Sequence, residues 1–453
     1  MKKQELLGSA PISKALLALG IPTMIGMMVN ALYNLVDAYF VAGLGTAQNG
    51  AIAVAFPLGQ IIVGLGLLFG NGAASYLSRL LGRGDTDNAD KVASTAFYGS
   101  MLTGVIVILL TILFLEPILR LFGASDTIMP YAMTYTRIYI LFSIFNVCNV
   151  TMNNIVTSEG AAKTTMIALL SGAILNMILD PFFIYTLHTG IQGAAIATAI
   201  SQIVSTLVYA GYIFSKKSNF SFRLNRCSFT REIMSEIFKI GIPTLVFQLL
   251  TSLSIAMTSA TSNHQGYGDS VIAAMGDVTR IVSMGSLMVF GFIKGFQPIA
   301  GYAYGAKNYD RLQQAIKTTI LFSSIFCVLF GLLIALCSTS IMSQFTQNDQ
   351  TLLSIGKRAL IANGISFFLF GFYTVYSSLF LALGKAKEGF VLGACRQGIC
   401  FVPMIFLLPL LWGTNGIVLA QPFADILSAL ITIYMAVRLH RDLFHSLQLE
   451  KNC

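Results

Sequence analysis

The 453-residue chain is 55% hydrophobic and 10% charged, with a mean hydropathy of +0.75 and a net charge of +9. Soluble domains carry about 25% charged residues. The composition therefore excludes a soluble enzyme or binding module and describes an integral membrane protein with no separate soluble domain.

Met1 to Lys14 is polar and basic and has no cleavable signal pattern. Windows of about 20 apolar residues then mark spanning helices. Twelve are expected, at 15–40, 52–78, 93–115, 131–156, 163–186, 191–214, 237–260, 270–293, 316–339, 357–381, 389–411 and 415–437. The predicted fold class is all-α, with a polar loop over 215–236 dividing an N-terminal six-helix lobe (1–214) from a C-terminal one (237–453). An even number of spans puts both termini on one face. That face gathers most of the Lys and Arg, including Lys216, Lys217, Arg223, Arg226, Arg231 and Lys239 of the central loop. The opposite face has only Arg120, Arg137, Lys357 and Arg358. The asymmetry predicts cytoplasmic termini. It also accounts for the positive charge without a nucleic-acid partner.

The two halves repeat. "LGIPT" at 19–23 returns as "IGIPT" at 240–244, "SEGAAKTT" as "LALGKAKEG", and "GIQGAAIATAISQ" as "GTNGIVLAQPFAD", all about 221 to 224 residues apart. Each half has six spans, so the halves share an orientation. Parallel repeats of this kind place an axis along the membrane normal and a cleft between two lobes. Pro22 and Pro243 occupy matching places early in the first and seventh helices, as static kinks or as hinges.

Within "LNMILDPFFIY" (175–185), Asn176 and Asp180 are one helical turn apart and face the same way. Pro181 interrupts the backbone ladder beside the acid. A charged Asp in a bilayer costs about 3 kcal/mol on insertion scales, so such a residue is a functional candidate by default. At about 1.5 Å per residue, Asp37 lies roughly 33 Å along the first helix, Asp180 roughly 26 Å along the fifth, and Thr198 about 11 Å from the outer end of the sixth. Two carboxylates, an amide and a hydroxyl at similar depth would form an all-oxygen cluster suited to Na⁺ or to protons. The alternatives are that Asp180 meets headgroup water, and that Asp37 bonds to helix backbone or to Asn34.

Asp277 and Arg280 are three residues apart on the eighth helix and can pair. Asp425, in register with Gln202 of the first half, either lines a cavity or bonds to a neighbouring helix. Gln248 and Thr251 are the polar residues that follow Pro243. Lys294 and Arg396 near helix ends are expected to snorkel. The seven Cys (148, 227, 327, 337, 395, 400 and 453) read as free thiols, and the four His (188, 264, 440 and 445) as loop or tail residues, with no metal-ligand spacing.

In order and spacing, "LGIPT", "NLVDAYFVAGLGT", "GNGAASYLSRLLGRGD", "NMILDPFFIY", "GIQGAAIAT", "GFQPIAGYAYGAKN" and "QPFADILS" resemble the multidrug and toxic compound extrusion (MATE) family over essentially the whole chain, nearest its bacterial DinF-like and MepA-like branch. The resemblance implies two pseudo-symmetric six-helix bundles and a monomeric, multi-pass plasma-membrane exporter. Such a protein expels organic, often cationic, drugs as H⁺ or Na⁺ enters, by alternating access and without an organic cofactor. It also implies a coupling-cation site at Asp37, Asn176, Asp180 and Thr198. The NorM-like branch has an acid in helix seven that this chain lacks, which leaves coupling to the first lobe. Asp277, Arg280, Asp425 and Gln248 are the candidate substrate contacts. A lipid-linked-sugar flippase shares the two-bundle plan but would be expected to show a cationic cavity. An intramembrane aspartyl protease using Asp37 and Asp180 would carry a "GxGD" pattern at one of these acids, and neither "NLVD" nor "MILD" matches it. The major facilitator signature between helices two and three is also unmatched.

Overall fold

Among the described residues, twelve helices are long and apolar enough to cross a membrane. They are α1 (Ile12–Ala42), α2 (Thr46–Arg83), α3 (Thr86–Leu113), α4 (Met129–Ser158), α5 (Ala162–Pro181), α6 (Ile191–Phe214), α7 (Arg231–His264), α8 (Asp269–Gly305), α9 (Tyr309–Leu336), α10 (Gln350–Ala382), α11 (Ala386–Trp412) and α12 (Thr414–Lys451). The computed structural model describes residues 3–264, 269–344 and 349–451. Lys2 and Cys453, and the side chains of His264, His445 and Lys451, lie outside what it describes. Several helices run past their expected bounds: α3, α9 and α10 each begin seven residues early and α12 continues to Lys451. The last six residues of the central loop belong to α7, and α8 runs on to Gly305. Both extensions are amphipathic segments too polar for a hydropathy window. His440 is also no tail residue: it sits in α12, 2.9 Å from the Tyr376 hydroxyl.

Side-chain caps start several helices. Asp85 accepts from the Asn88 N–H ahead of α3, and Asn308 from the Arg311 N–H at the matching place ahead of α9. Each cap occupies a backbone donor that a helix N-terminus leaves open. The outward faces of α3 and α9 expose rows of apolar residues, including Leu102, Leu109, Leu113, Leu329, Leu332 and Leu336. Rows of this kind are stable only against lipid.

The packing repeats with the sequence. Contacts of α2 with α4, α1 with α5, α5 with α6 and α4 with α6 return as α8 with α10, α7 with α11, α11 with α12 and α10 with α12. The two six-helix bundles meet where α1 packs on α8, α2 on α7, and α2 on its own counterpart α8. This is the arrangement of a pseudo-twofold axis along the bundle. Close approach depends on glycine. A Cβ added at Gly82 would lie 2.2 Å from Tyr302 O, and one at the equivalent Gly305 would lie 2.1 Å from Arg79 O.

Polar ties between the halves concentrate toward the end of the molecule that carries Lys3 and the central loop. Arg79 Nη2 donates to Glu236 Oε2 at 2.9 Å, Asn71 Nδ2 to Thr244 Oγ1 at 2.8 Å, and Thr23 Oγ1 to Gly291 O at 2.6 Å. Arg311 reaches the carbonyls of Leu6, Leu7 and Ala10, capping the short helix Lys3–Gly8. Glu159, fully buried between α4 and α5, accepts from Tyr212 Oη, Ser218 Oγ and the Asn219 N–H and pairs with Lys3 at 3.3 Å. It thereby anchors the start of the chain and the central loop to the first bundle.

Candidate functional site

Helix α5 ends because Pro181 has no N–H to give, and Phe182–Thr186 continue as one wide π-turn. Turns of this kind recur at functional sites. Just before it and one turn earlier, Asp180 and Asn176 point inward toward α6. Asp180 is 0% exposed, Asn176 1% and Thr198 9%. The Asn176 amide lies 3.3 Å from Asp180 Oδ1 and 3.5 Å from Thr198 Oγ1. The surrounding hydrogen bonds favour the amide orientation in which Nδ2 donates to Asp180 Oδ2 at 3.1 Å and Oδ1 accepts from the Thr198 N–H at 3.3 Å. The alternative that Asp180 only meets headgroup water does not hold, since the residue is fully buried.

Asp37 comes from α1, and its carboxyl faces that of Asp180 within hydrogen-bonding reach. Its Oδ1 is buried and has no donor. Asn34 does not supply one, because its amide donates to Asn30 O at 2.8 Å and to Asn30 Oδ1 at 3.2 Å. The end of α1 is held in place by Tyr185 of the π-turn, whose hydroxyl donates to Phe40 O at 2.8 Å. Tyr33, Tyr135 and Tyr139 stand around the acids, and the last two stack with centroids 5.9 Å apart.

Thus the four residues singled out by depth and spacing converge on one spot. Among the described residues, no Lys or Arg forms an ion pair with either acid. Two carboxyls in contact in a site largely shut from water cannot both stay bare anions. A pair of this kind can share a proton or a cation, and the acceptor atoms around it are oxygens.

The other polar residues divide differently. Asp277 pairs loosely with Arg280 at 3.7 Å, the Arg side chain being 73% exposed. Gln248 Nε2 donates to Gln60 Oε1 across the bundle interface at 3.1 Å. Asp425 bonds to neighbouring helices, accepting from Ser366 of α10 and Arg396 of α11 as well as from Gln421. Two snorkelling expectations fail. Arg396 is buried against Asp425 at 2.8 Å. Lys294 crosses to the first bundle and donates to Asn153 Oδ1 at 2.8 Å. In both cases a partner on another helix outweighs the pull of the membrane surface. Glu159, Asn153, Gln60 and the Arg79–Glu236 pair carry no signal in one sequence beyond being polar residues in or beside apolar segments.

The MatE family profile matches residues 22–182 and 243–407, once in each half. The chain is 29% identical over 451 residues to the multidrug export protein MepA of Staphylococcus aureus (strain MSSA476), covering 98% of this chain and 97% of that one. It is also 29% identical over 448 residues to MepA of Staphylococcus saprophyticus, with the same coverage. Among solved structures it resembles a MATE crystallised in complex with MaL6 (27% identity, TM-score 0.93, covering 98% of this chain and 100% of that one). It resembles equally an outward-facing multidrug resistance MATE transporter of the MOP superfamily (27%, TM-score 0.93, covering 98% and 99%). With two repeats matched over most of its length and the same twelve-helix architecture, the chain belongs to the MatE family of membrane transporters.

Proposed function

We propose that the protein is a secondary active multidrug exporter in which Asp37 and Asp180, with Asn176 and Thr198, hold the coupling cation. The observation that carries this reading is that Asp37, whose Oδ1 is buried and has no donor, sets its carboxyl against that of Asp180. Its oxygen set accommodates either a proton or Na⁺. When the site opens to water the guest leaves, and when it closes a guest must be present again. The two lobes, 1–214 and 237–453, rock about the α1–α8 and α2–α7 contacts to alternate that exposure. The ties Arg79–Glu236, Asn71–Thr244 and Thr23–Gly291 bind the lobes together near the terminus end, which supports a resting state open toward the far face.

The bias of Lys and Arg toward the terminus face supports cytoplasmic termini in a bacterial plasma membrane. The MepA relatives' designation as multidrug export proteins supports small organic molecules, commonly cations, as cargo for a monomeric transporter. Asp277, held only at 3.7 Å by its neighbour, is the second-half acid left with most capacity to contact such a cation. The test is ethidium efflux from proteoliposomes under separately imposed Na⁺ and pH gradients. One gradient should drive efflux in the parent protein, and neither should do so in an Asp180→Asn variant that inserts normally.

A further inference from the structure

The second bundle holds a cavity of about 90 Å³, walled among others by Thr251, Ser254, Asn363, Arg396, Gln397 and Gln421. Its charged wall is one-sided. Asp425, 4% exposed, is already supplied with three donors: Arg396 Nε at 2.8 Å and Gln421 Nε2 at 2.9 Å on Oδ1, and Ser366 Oγ at 2.9 Å on Oδ2. Arg396 is not similarly used. It is 6% exposed, spends only Nε on the acid, and lays its guanidinium 4.5 Å from the centre of the Phe370 ring. Among the described residues neither Nη group donates to a protein acceptor. A guanidinium has five N–H donors in a planar fork, so four remain for whatever occupies the cavity. The residue also sits in a π-turn, Cys395–Ile399, flanked by two α-helical segments. The extra residue in such a turn re-aims side chains, and turns of this kind favour functional sites.

We propose that the Arg396 end of this cavity is a subsite for the carboxylate of zwitterionic or anionic organic substrates. The inference rests on the export reading given above and names a substrate class for it. Asp425 serves to hold the fork in place, with its own oxygens engaged. Arg396 Nη1 and Nη2 present parallel donors at a buried surface, the geometry that receives a carboxylate bidentately. Phe370 closes one face of the guanidinium and excludes water there.

A matched pair of dyes tests this. Rhodamine 110 carries a free carboxyl, and rhodamine 123 is its methyl ester. Binding to the purified full-length protein in nanodiscs is followed by fluorescence polarisation. The parent should bind the acid more tightly than the ester. In the double variant Arg396→Gln/Asp425→Asn, which keeps two hydrogen-bonding side chains and leaves no buried charge unpaired, that acid-to-ester affinity ratio should fall about ten-fold. Helicity and elution volume check that the variant is folded. Arg396→Lys, which keeps the charge but loses the fork, should give an intermediate ratio. The proposal is overturned if the parent binds neither dye, if it does not prefer the acid, or if its ratio survives in the folded double variant. Ethidium efflux by the parent separates this outcome from failure of the export reading, which would show as no gradient-driven efflux at all.

Discussion

Asp37 and Asp180 turn their carboxyl groups toward each other across the α1–α5 contact, and Asn176 braces the second acid from one turn below. Among the described residues neither acid forms an ion pair with a basic side chain, and the proposed role of the pair as a cation site makes definite demands on Asp180 and on the amide beside it. Asp180→Asn removes the charge at similar volume. Gradient-driven efflux should fall at least ten-fold while substrate binding at equilibrium persists. Proteoliposome transport and a binding titration on the same preparation check this. Asn176→Asp, which adds a third acid, should weaken Na⁺- or proton-dependence more than Asn176→Ala does.

Arg79 and Glu236 join the two bundles beside the central loop, their side chains 10% and 21% exposed. A charged hydrogen bond in such surroundings is worth about 1.5–3 kcal/mol, enough to shift a two-state population by ten-fold or more. Arg79→Ala should therefore open the terminus end. In a cysteine-free background, a cysteine placed at Thr157, which lines the polar chamber there, should label several-fold faster with an impermeant maleimide. Exchanging the two residues (Arg79→Glu/Glu236→Arg) should restore slow labelling.

Gly305→Ala tests the same closure through sterics. The added Cβ would sit 2.1 Å from Arg79 O, which is backbone and cannot rotate away. The bundles must separate locally, so the same labelling experiment should respond in the same direction, and exchanging the charges should not rescue it. Gly123→Ala, where an added Cβ meets nothing within 4 Å but φ is +95°, should cost some stability and leave labelling unchanged.

Glu159 gives a pH signature. Burial holds its carboxyl above the ordinary 4.5, against the opposing pull of Lys3, Tyr212 and the Asn219 N–H. An acid raised in the folded state binds protons more tightly there than in the unfolded chain. Its contribution to stability is thus full below 4.5 and is lost as pH rises through the raised value. Melting temperatures of the parent and of Glu159→Gln, compared from pH 4 upward, should converge or cross in favour of the variant and then level off. The opposite slope would mean that Lys3 and the N–H donors outweigh the burial.

Much of this architecture could be read in one sequence, for a definite reason. Apolar windows give the number and approximate depth of spans, and the match of Gly190 to Gly413 gives the repeat. These two glycines adopt nearly the same backbone, φ 59° and 57°, ψ −136° and −135°. Asn176 and Asp180 could be placed together because four residues make one turn, and Asp37 and Thr198 because rise per residue gives depth. What depth cannot give is azimuth. Lys294 and Arg396 have the composition of snorkelling residues, yet they turn inward to Asn153 and Asp425, each on another helix. The extension of α8 to Gly305 and the π-turn at Cys395 were likewise hidden, since each depends on tertiary partners.

The α1–α8 and α2–α7 contacts are mates under the pseudo-twofold axis, so a single six-helix polypeptide could have formed the same interface with its own copy. Such a homodimer would be bound to carry identical chemistry on both sides. Joining the halves in one chain lifts that constraint: here one side keeps an unneutralised pair, Asp37 with Asp180, while the other answers its acid Asp425 with Arg396. Covalent linkage is thus what allows a symmetric scaffold to divide its labour.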